Sequence, residues 1–230
     1  MIPKISIITI CKNERPFIQS TCDSVISQSY THFEWIVVDG ASTDGTLDIL
    51  KKYTHAMRHF ISEPDAGIYP AMNKGISLAS GEFCLFLNGG DFLYSPFVLH
   101  QTVPHLTSQT DVLYTNSYRL HTPSESSKDF IKTYPETLTK DFFLTNTLGH
   151  QSSFIRRTLF DRYGLYREDF KIVSEKEKWL VFMENNVRFQ YLPLTTSVFR
   201  LNGISRHKTP ALQMEKQRML AEHFGRTLTS

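Results

Sequence analysis

The chain has 230 residues, of which 40% are hydrophobic, 13% aromatic and 21% charged, enough to bury roughly 70% of the unfolded surface in one globular domain and too apolar for disorder. Uninterrupted apolar runs such as 83–87 and 179–183 fall far short of the about 20 residues that span a bilayer, and three scattered cysteines, Cys11, Cys22 and Cys84, form neither a disulfide framework nor a zinc cluster. A net charge of +2 is too weak for a nucleic-acid partner.

A strand-like run begins at Ile5 with no basic and apolar leader before it, so no secretion signal is read and a cytoplasmic location is expected. Lys4 to Ile10 is a β-branched run suited to a strand buried on both faces. A helix from about Pro16 to Ser27 follows, with Phe17, Thr21, Ser24 and Val25 near one side. A second buried strand, Phe33 to Val38, precedes Ser42-Thr43-Asp44-Gly45, whose oxygens suit the start of a helix through Leu47, Leu50 and Tyr53. A short strand near His59 to Ser62, a helix from Tyr69 to Ala79 with Pro70 in its first turn, and a strong strand from Glu82 to Leu87 complete the pattern. Such alternation predicts an α/β fold with a parallel sheet and helices on both faces. Further on, 112–116, 152–155 and 188–192 read as strands, and the polar, Ser-rich stretch from Pro123 to Lys132 as an exposed loop.

In open parallel sheets ligands bind beyond the carboxyl ends of the strands. Polar residues gather there: Thr9, Lys12, Asn13 and Glu14 after the first strand, Asp39, Ser42 and Asp44 after the second, Asp65 and Gly67 before the third helix, and Asn88-Gly89-Gly90-Asp91 after the strong strand. The turn after the first strand has no glycine, and neither a P-loop nor a Gly-x-Ser-x-Gly elbow occurs, which argues against dinucleotide, P-loop and hydrolase chemistry. Asp91, preceded by two glycines, suits Mg²⁺ or Mn²⁺ held by one carboxylate plus substrate phosphates, and so points to a nucleoside diphosphate.

Ile5 to Thr9 with Asn13-Glu14, then 35–46, then the block Glu63 to Gly75, Gly81, Leu87 to Asp91, Gly149 to Phe154 and Asn202 to Ser205 together resemble family 2 glycosyltransferases of the bacterial exopolysaccharide, colanic-acid-type branch. The resemblance implies a single-domain GT-A, Rossmann-like fold with a mixed, mostly parallel sheet. It implies that Thr9, Glu14, Asp39, Ser42, Asp65, Gly67 and Lys74 bind the nucleotide, with Asp39 accepting from the base N–H. Asp91 takes the last position of the family's Asp-x-Asp motif and binds the divalent metal (Mn²⁺ or Mg²⁺), while Gly89 stands at the first. His207 is a further candidate for the metal shell. The implied reaction is inverting transfer from a nucleotide-diphosphate sugar, a UDP-sugar, to a growing surface glycan or lipid-linked acceptor. Its base falls on Glu175, with Glu177 the nearest alternative, and His150 is a candidate for contact with acceptor or leaving group. The alternative reading is an inactive homologue that binds nucleotide-sugar, suggested by Gly89 and by Glu175 where the family carries Asp.

The resemblance sets the domain at 1–205, with 1–91 the nucleotide-sugar half and 92–205 the acceptor half. Residues 206–230 form a C-terminal extension. From Arg200 onward six basic residues face two acidic ones, a net +4 that leaves −2 for the first 199 residues. Leu212, Met214, Met219, Leu220 and Phe224 lie among Lys216 and Arg218, a partly amphipathic basic helix. That pattern suggests either packing on the domain or peripheral contact with anionic lipid at the inner face of the cytoplasmic membrane.

Overall fold

The computed structural model describes residues 2–121, 128–201 and 209–225. Its first half alternates as the periodicity predicts: β1 (Ile5–Cys11), α1 (Ile18–Ile26), β2 (Phe33–Asp39), α2 (Thr46–Leu50, extended by a 3-10 stretch over Lys51–Ala56), β3 (His59–Ser62), α3 (Ile68–Leu78) and β4 (Phe83–Phe86). β1 lies between β2 and β4, and β3 flanks β2, all parallel. The second half adds β5 (Phe92–Leu93), α4 (Val98–Thr102), β6 (Val112–Leu120), β7 (Phe130–Lys132), α5 (Phe142–Thr145), β8 (Ser153–Arg156), α6 (Thr158–Tyr163), α7 (Ser174–Glu184), β9 (Phe189–Arg200) and α8 (Pro210–Phe224). The sheet runs β3-β2-β1-β4-β8-β6-β9-β5. β8 enters antiparallel between β4 and β6, and β9 returns parallel to β6. Of the predicted exposed loop, Phe130–Lys132 is instead a strand on the far end of β6, while 122–127 lie outside the described residues.

The period-two alternation of strands sorts the core onto two faces. Ile5, Ile7, Trp35, Val37, Phe83 and Leu85 pack toward α1 and α4; Ile8, Ile10, Ile36, Val38, Cys84 and Phe86 pack toward α3, α7 and α8. Helices therefore cover both faces. On α1 the buried stripe is Ile18, Thr21, Cys22 and Val25, one step from the predicted one: Phe17 and Ser24 are only half-buried. Asp44 does serve α2, its Oδ1 accepting from the Thr46 amide at 3.0 Å and hydroxyl at 2.6 Å, but Ser42 turns back to Asp39.

Two polar devices fasten the layers. Glu34, 6% exposed, accepts from Lys4 Nζ (2.7 Å), Ser6 Oγ (2.6 Å), Ser80 N (2.6 Å), Ser80 Oγ (2.8 Å) and Gly81 N (3.1 Å). It ties β1 and β2 to the turn before β4, where Gly81 lies so close that a Cβ would sit 2.6 Å from the Ser6 amide nitrogen. On α8, Glu215 accepts from the backbone N–H groups of Lys171, Ile172 and Val173 at 2.7, 2.9 and 3.2 Å. The C-terminal helix thus holds the residues leading into α7. Leu212, Met219 and Leu220 are buried in the core while Met214 is 70% exposed. The apolar residues of the predicted amphipathic helix are thus mostly packed on the domain. No helix among the described residues is long and apolar enough to cross a membrane.

Candidate active site

The carboxyl ends of β1 and β2 are joined by a tight mesh of bonds. Asn13 adopts a left-handed φ of 56°, its N–H donates to Ser42 Oγ (2.8 Å), and its Oδ1 accepts from Thr43 N (2.9 Å). The Glu14 and Arg15 amides donate to Thr46 Oγ1 and Asp44 Oδ2. Asp39 is fully buried, and its two oxygens accept from Ser42 Oγ and Cys11 Sγ on one side and from Ser42 N and Ser62 Oγ on the other. All four lone-pair directions are filled from within the chain, so Asp39 shapes the loop, and the expected contact with the base would need one of these bonds to be exchanged. Thr9 lies in mid-strand, fully buried, with its hydroxyl accepting from the Trp35 indole at 3.0 Å.

Asp65 and Lys74 do meet. Lys74 Nζ bridges Asp65 Oδ1 at 3.1 Å and Glu63 Oε1 at 2.5 Å. Gly67 starts α3 with φ 143° and ψ −176°, a conformation open essentially to glycine. At Gly40 a Cβ would meet Lys12 Cδ at 3.2 Å and Asp65 Oδ2 at 3.3 Å, so the bare backbone lets the ends of β1 and β2 face α3.

Asp91 follows β4, 5% exposed, with Oδ1 accepting from the Arg200 amide at 3.2 Å. Burial pushes its carboxyl up to about 7 against the pull of His150, the Arg200 amide and Arg119, with Glu14 adding to the rise. Glu14 is likewise pushed up to about 7, by burial and by Asp44. The Glu14 side chain occupies the room beside the two glycines: a Cβ on Gly89 would stand 2.7 Å from Cys11 Cβ and 3.0 Å from Glu14 Cγ, and one on Gly90 3.5 Å from Glu14 Oε2. No set of three His, Cys, Asp or Glu residues is placed to hold an ion among the described residues. The donor set fits a hard cation held by Asp91 with oxygens that a substrate supplies. His207 lies outside the described residues.

Near Asp91, the short helical turn His150–Ser152 leads into β8. Glu175, in the first turn of α7, accepts from the His150 amide at 2.8 Å, and its Oε2 lies 2.8 Å from His150 Nδ1. Burial lowers the His150 pKa, but Glu175 and Asp91 outweigh it and raise it overall. His150 Nε2 is buried without a hydrogen-bond partner, while Glu175 keeps a side chain 21% exposed. Glu177, the alternative candidate, is 4% exposed and sits beside Arg167 (3.9 Å) and His223 of α8 (3.8 Å). Two positions along a helix turn it by about 200° from Glu175.

Three cations in this region escaped sequence reasoning. Arg200 donates from Nε to Gly90 O at 3.0 Å and lies over Phe17 and Phe92. Arg119, 8% exposed on β6, lies over Phe199, and Lys132 of β7 lies over the Tyr134 ring. The available signal was a single charge inside an otherwise uncharged strand, Val112–Leu120.

Residues 6–164 match the model of Glycosyl transferase family 2. An uncharacterized glycosyltransferase of Mycobacterium tuberculosis is 33% identical over 177 residues, covering 76% of this chain and 67% of the relative. A putative teichuronic acid biosynthesis glycosyltransferase, TuaG, of Bacillus subtilis is 32% identical over 149 residues, covering 64% of this chain and 59% of the relative. Among solved structures, S. aureus TarS 1–349 in complex with UDP-GlcNAc superposes with a TM-score of 0.76 at 20% identity, over 99% of this chain and 68% of that one. The mannosyltransferase PcManGT from Pyrobaculum calidifontis, in complex with GDP-Man and Mn²⁺, gives 0.68 at 18% identity over 98% and 64%. The structural likenesses establish a GT-A fold.

Proposed function

From the premise that the chain belongs to glycosyl transferase family 2, we propose that it transfers a sugar, with inversion, from a UDP-sugar to a growing surface glycan or lipid-linked acceptor. The observation that carries this reading is the convergence of Asp91 and Glu14 on one side with the Glu175–His150 pair on the other. TarS in complex with UDP-GlcNAc supports a uridine donor.

Residues 1–91 form the donor half. Asp65, oriented by Lys74, and the Lys12 to Glu14 loop face the nucleoside, while Asp39 and Ser42 act through that loop. A divalent cation, Mn²⁺ or Mg²⁺, would be held by Asp91 with the donor phosphates and would offset the charge developing on the leaving diphosphate. Residues 92–205 form the acceptor half. The acceptor hydroxyl gives its proton to a Glu175 carboxylate oxygen as its own oxygen forms the new bond to the anomeric carbon. The bond from that carbon to the diphosphate oxygen breaks, and its electron pair leaves with the nucleotide. His150 holds Glu175 from both backbone and ring, a positioning role. Peripheral contact with anionic lipid would fall to Met214 and the basic residues of α8, and co-sedimentation with anionic vesicles at low salt tests it.

Glu175→Gln is expected to lower kcat by about 10²-fold or more and to leave UDP affinity unchanged. A fully active variant would rule out this base. Slow hydrolysis of the donor without acceptor separates an enzyme from a homologue that only binds nucleotide-sugar, the alternative that Gly89 and Glu175 raise.

A further inference from the structure

Arg119 and Lys132 are two cations that the protein places together with no carboxylate at ion-pair distance among the described residues, Asp91 and Glu175 acting on them only from further off. Arg119 is 8% exposed, its Nε has no hydrogen-bond partner, and Nη2 reaches only Tyr134 Oη at 3.5 Å. Lys132 Nζ finds only the Thr147 carbonyl at 3.3 Å and the Tyr134 ring at 5.1 Å. Neither has a carboxylate partner within 4 Å among the described residues, although most other buried or half-buried arginines, such as Arg156 and Arg167, have one. A buried charge without a close partner is unfavourable, and two of like sign that feel each other are more so. Lys132 accordingly falls to about 8, through burial first and then Arg119, with Glu175 opposing the fall.

Their position indicates what they face. Both flank Tyr134, whose hydroxyl accepts from the Gly149 amide at 3.2 Å, and a Cβ on Gly149 would lie 3.5 Å from Arg119 Nη2. Gly149 precedes His150, and His150 holds Glu175. The pair is therefore tied to the segment that carries His150, and Arg119 also acts on Asp91 from that side. The donor side has its own cation, since Arg200 is bound to Gly90 and lies over Phe17.

We propose that Arg119 and Lys132 form a subsite for an anionic group on the acceptor, a uronate carboxylate or a phosphate, next to the hydroxyl that receives the sugar. This rests on the glycosyl-transfer reading. A guanidinium suits either anion because its N–H groups pair with two oxygens at once. A neutral acceptor would leave both cations without a close anionic partner.

The experiment measures binding of glucuronate and glycerol 3-phosphate, each against its neutral counterpart glucose or glycerol, to the full chain saturated with UDP and Mn²⁺, so that the donor phosphate site is filled. At least one anion is expected to bind tenfold or more tightly than its neutral counterpart, and the preferred one distinguishes carboxylate from phosphate. Arg119→Met and Lys132→Met are each expected to remove that preference while UDP affinity stays unchanged. Arg119→Lys, which keeps the charge, is expected to retain part of it and controls for folding. Equal binding of anionic and neutral probes would overturn the proposal, as would a tenfold loss of UDP affinity in Arg119→Met, which would assign the cation to the donor diphosphate. A wild-type chain that binds no nucleotide overturns the transfer reading instead, and anion preference measured without UDP then still reads the subsite by itself.

Discussion

Single residues carry the most specific tests. Gly89 stands where the family motif has a first aspartate, and the surrounding atoms leave no room for it: Cys11 Cβ would lie 2.7 Å and Glu14 Cγ 3.0 Å from an added Cβ. Gly89→Asp is therefore expected to destabilise by about 1 to 3 kcal/mol, seen as a lower unfolding temperature, and not to tighten Mn²⁺ binding. A stable variant with tighter metal binding would contradict this packing. Glu34 gives a pH test. Burial alone would raise its carboxyl, but Lys4, Ser6 and Ser80 together hold it at about 2 against an ordinary 4.5. With a lowered folded pKa, its contribution is present above about 4.5 and is lost as pH falls toward about 2. Glu34→Gln should cost about 2 kcal/mol at neutral pH, and the gap from wild type in denaturant titrations should close across that window. Sequence singled out Asp65 with Lys74, and Asp91, His150 and Glu175, which the fold brings near one another in these two groups, but it could not show that Thr9 and Asp39 are fully buried and bonded within the chain. Strand parity and a turn's hydrogen bonds decide that, and both depend on partners far along the chain, Trp35 and Ser62.

At the scale of elements, β1 to β4 and the helices between them were legible because apolar runs and turn residues mark them locally. The second half was harder to read: β6 and β9 run to Leu120 and Arg200, well past their apolar starts, because a parallel ladder with a register shift near Asn116 stabilises polar residues that no local pattern marks. α8 was visible as a helix, but its partner was not. Glu215 caps the Lys171 to Val173 amides and so fixes the first turn of α7, where Glu175 sits. Glu215→Ala is expected to lower kcat by up to about 10²-fold with an unchanged KM for the donor, and its effect on thermal unfolding should be modest. A variant that loses donor affinity as well would show that α8 supports the whole cleft and not α7 alone.

For the whole molecule, the decisive measurement is thermal unfolding against UDP, GDP, CDP and dTDP, with and without Mn²⁺. A ligand at about 100 times its Kd stabilises by about 2.7 kcal/mol, a shift of about 5 to 10 °C for a chain of this size; UDP with metal is expected to give it, and no shift with any nucleotide would oppose the donor assignment. The sheet order has a separate consequence for synthesis. β4 finds β1 once 86 residues exist, yet its other edge waits for β8 at Ser153–Arg156. At about 5 to 20 residues per second the ribosome takes roughly 3 to 13 s to cross that gap. For that interval the nascent chain carries a half-built sheet whose open edge is Phe83-Cys84-Leu85-Phe86, a template for pairing with another chain. Crowded polysomes are where this fold is most exposed to aggregation, and slower translation between β4 and β8 lengthens the risk.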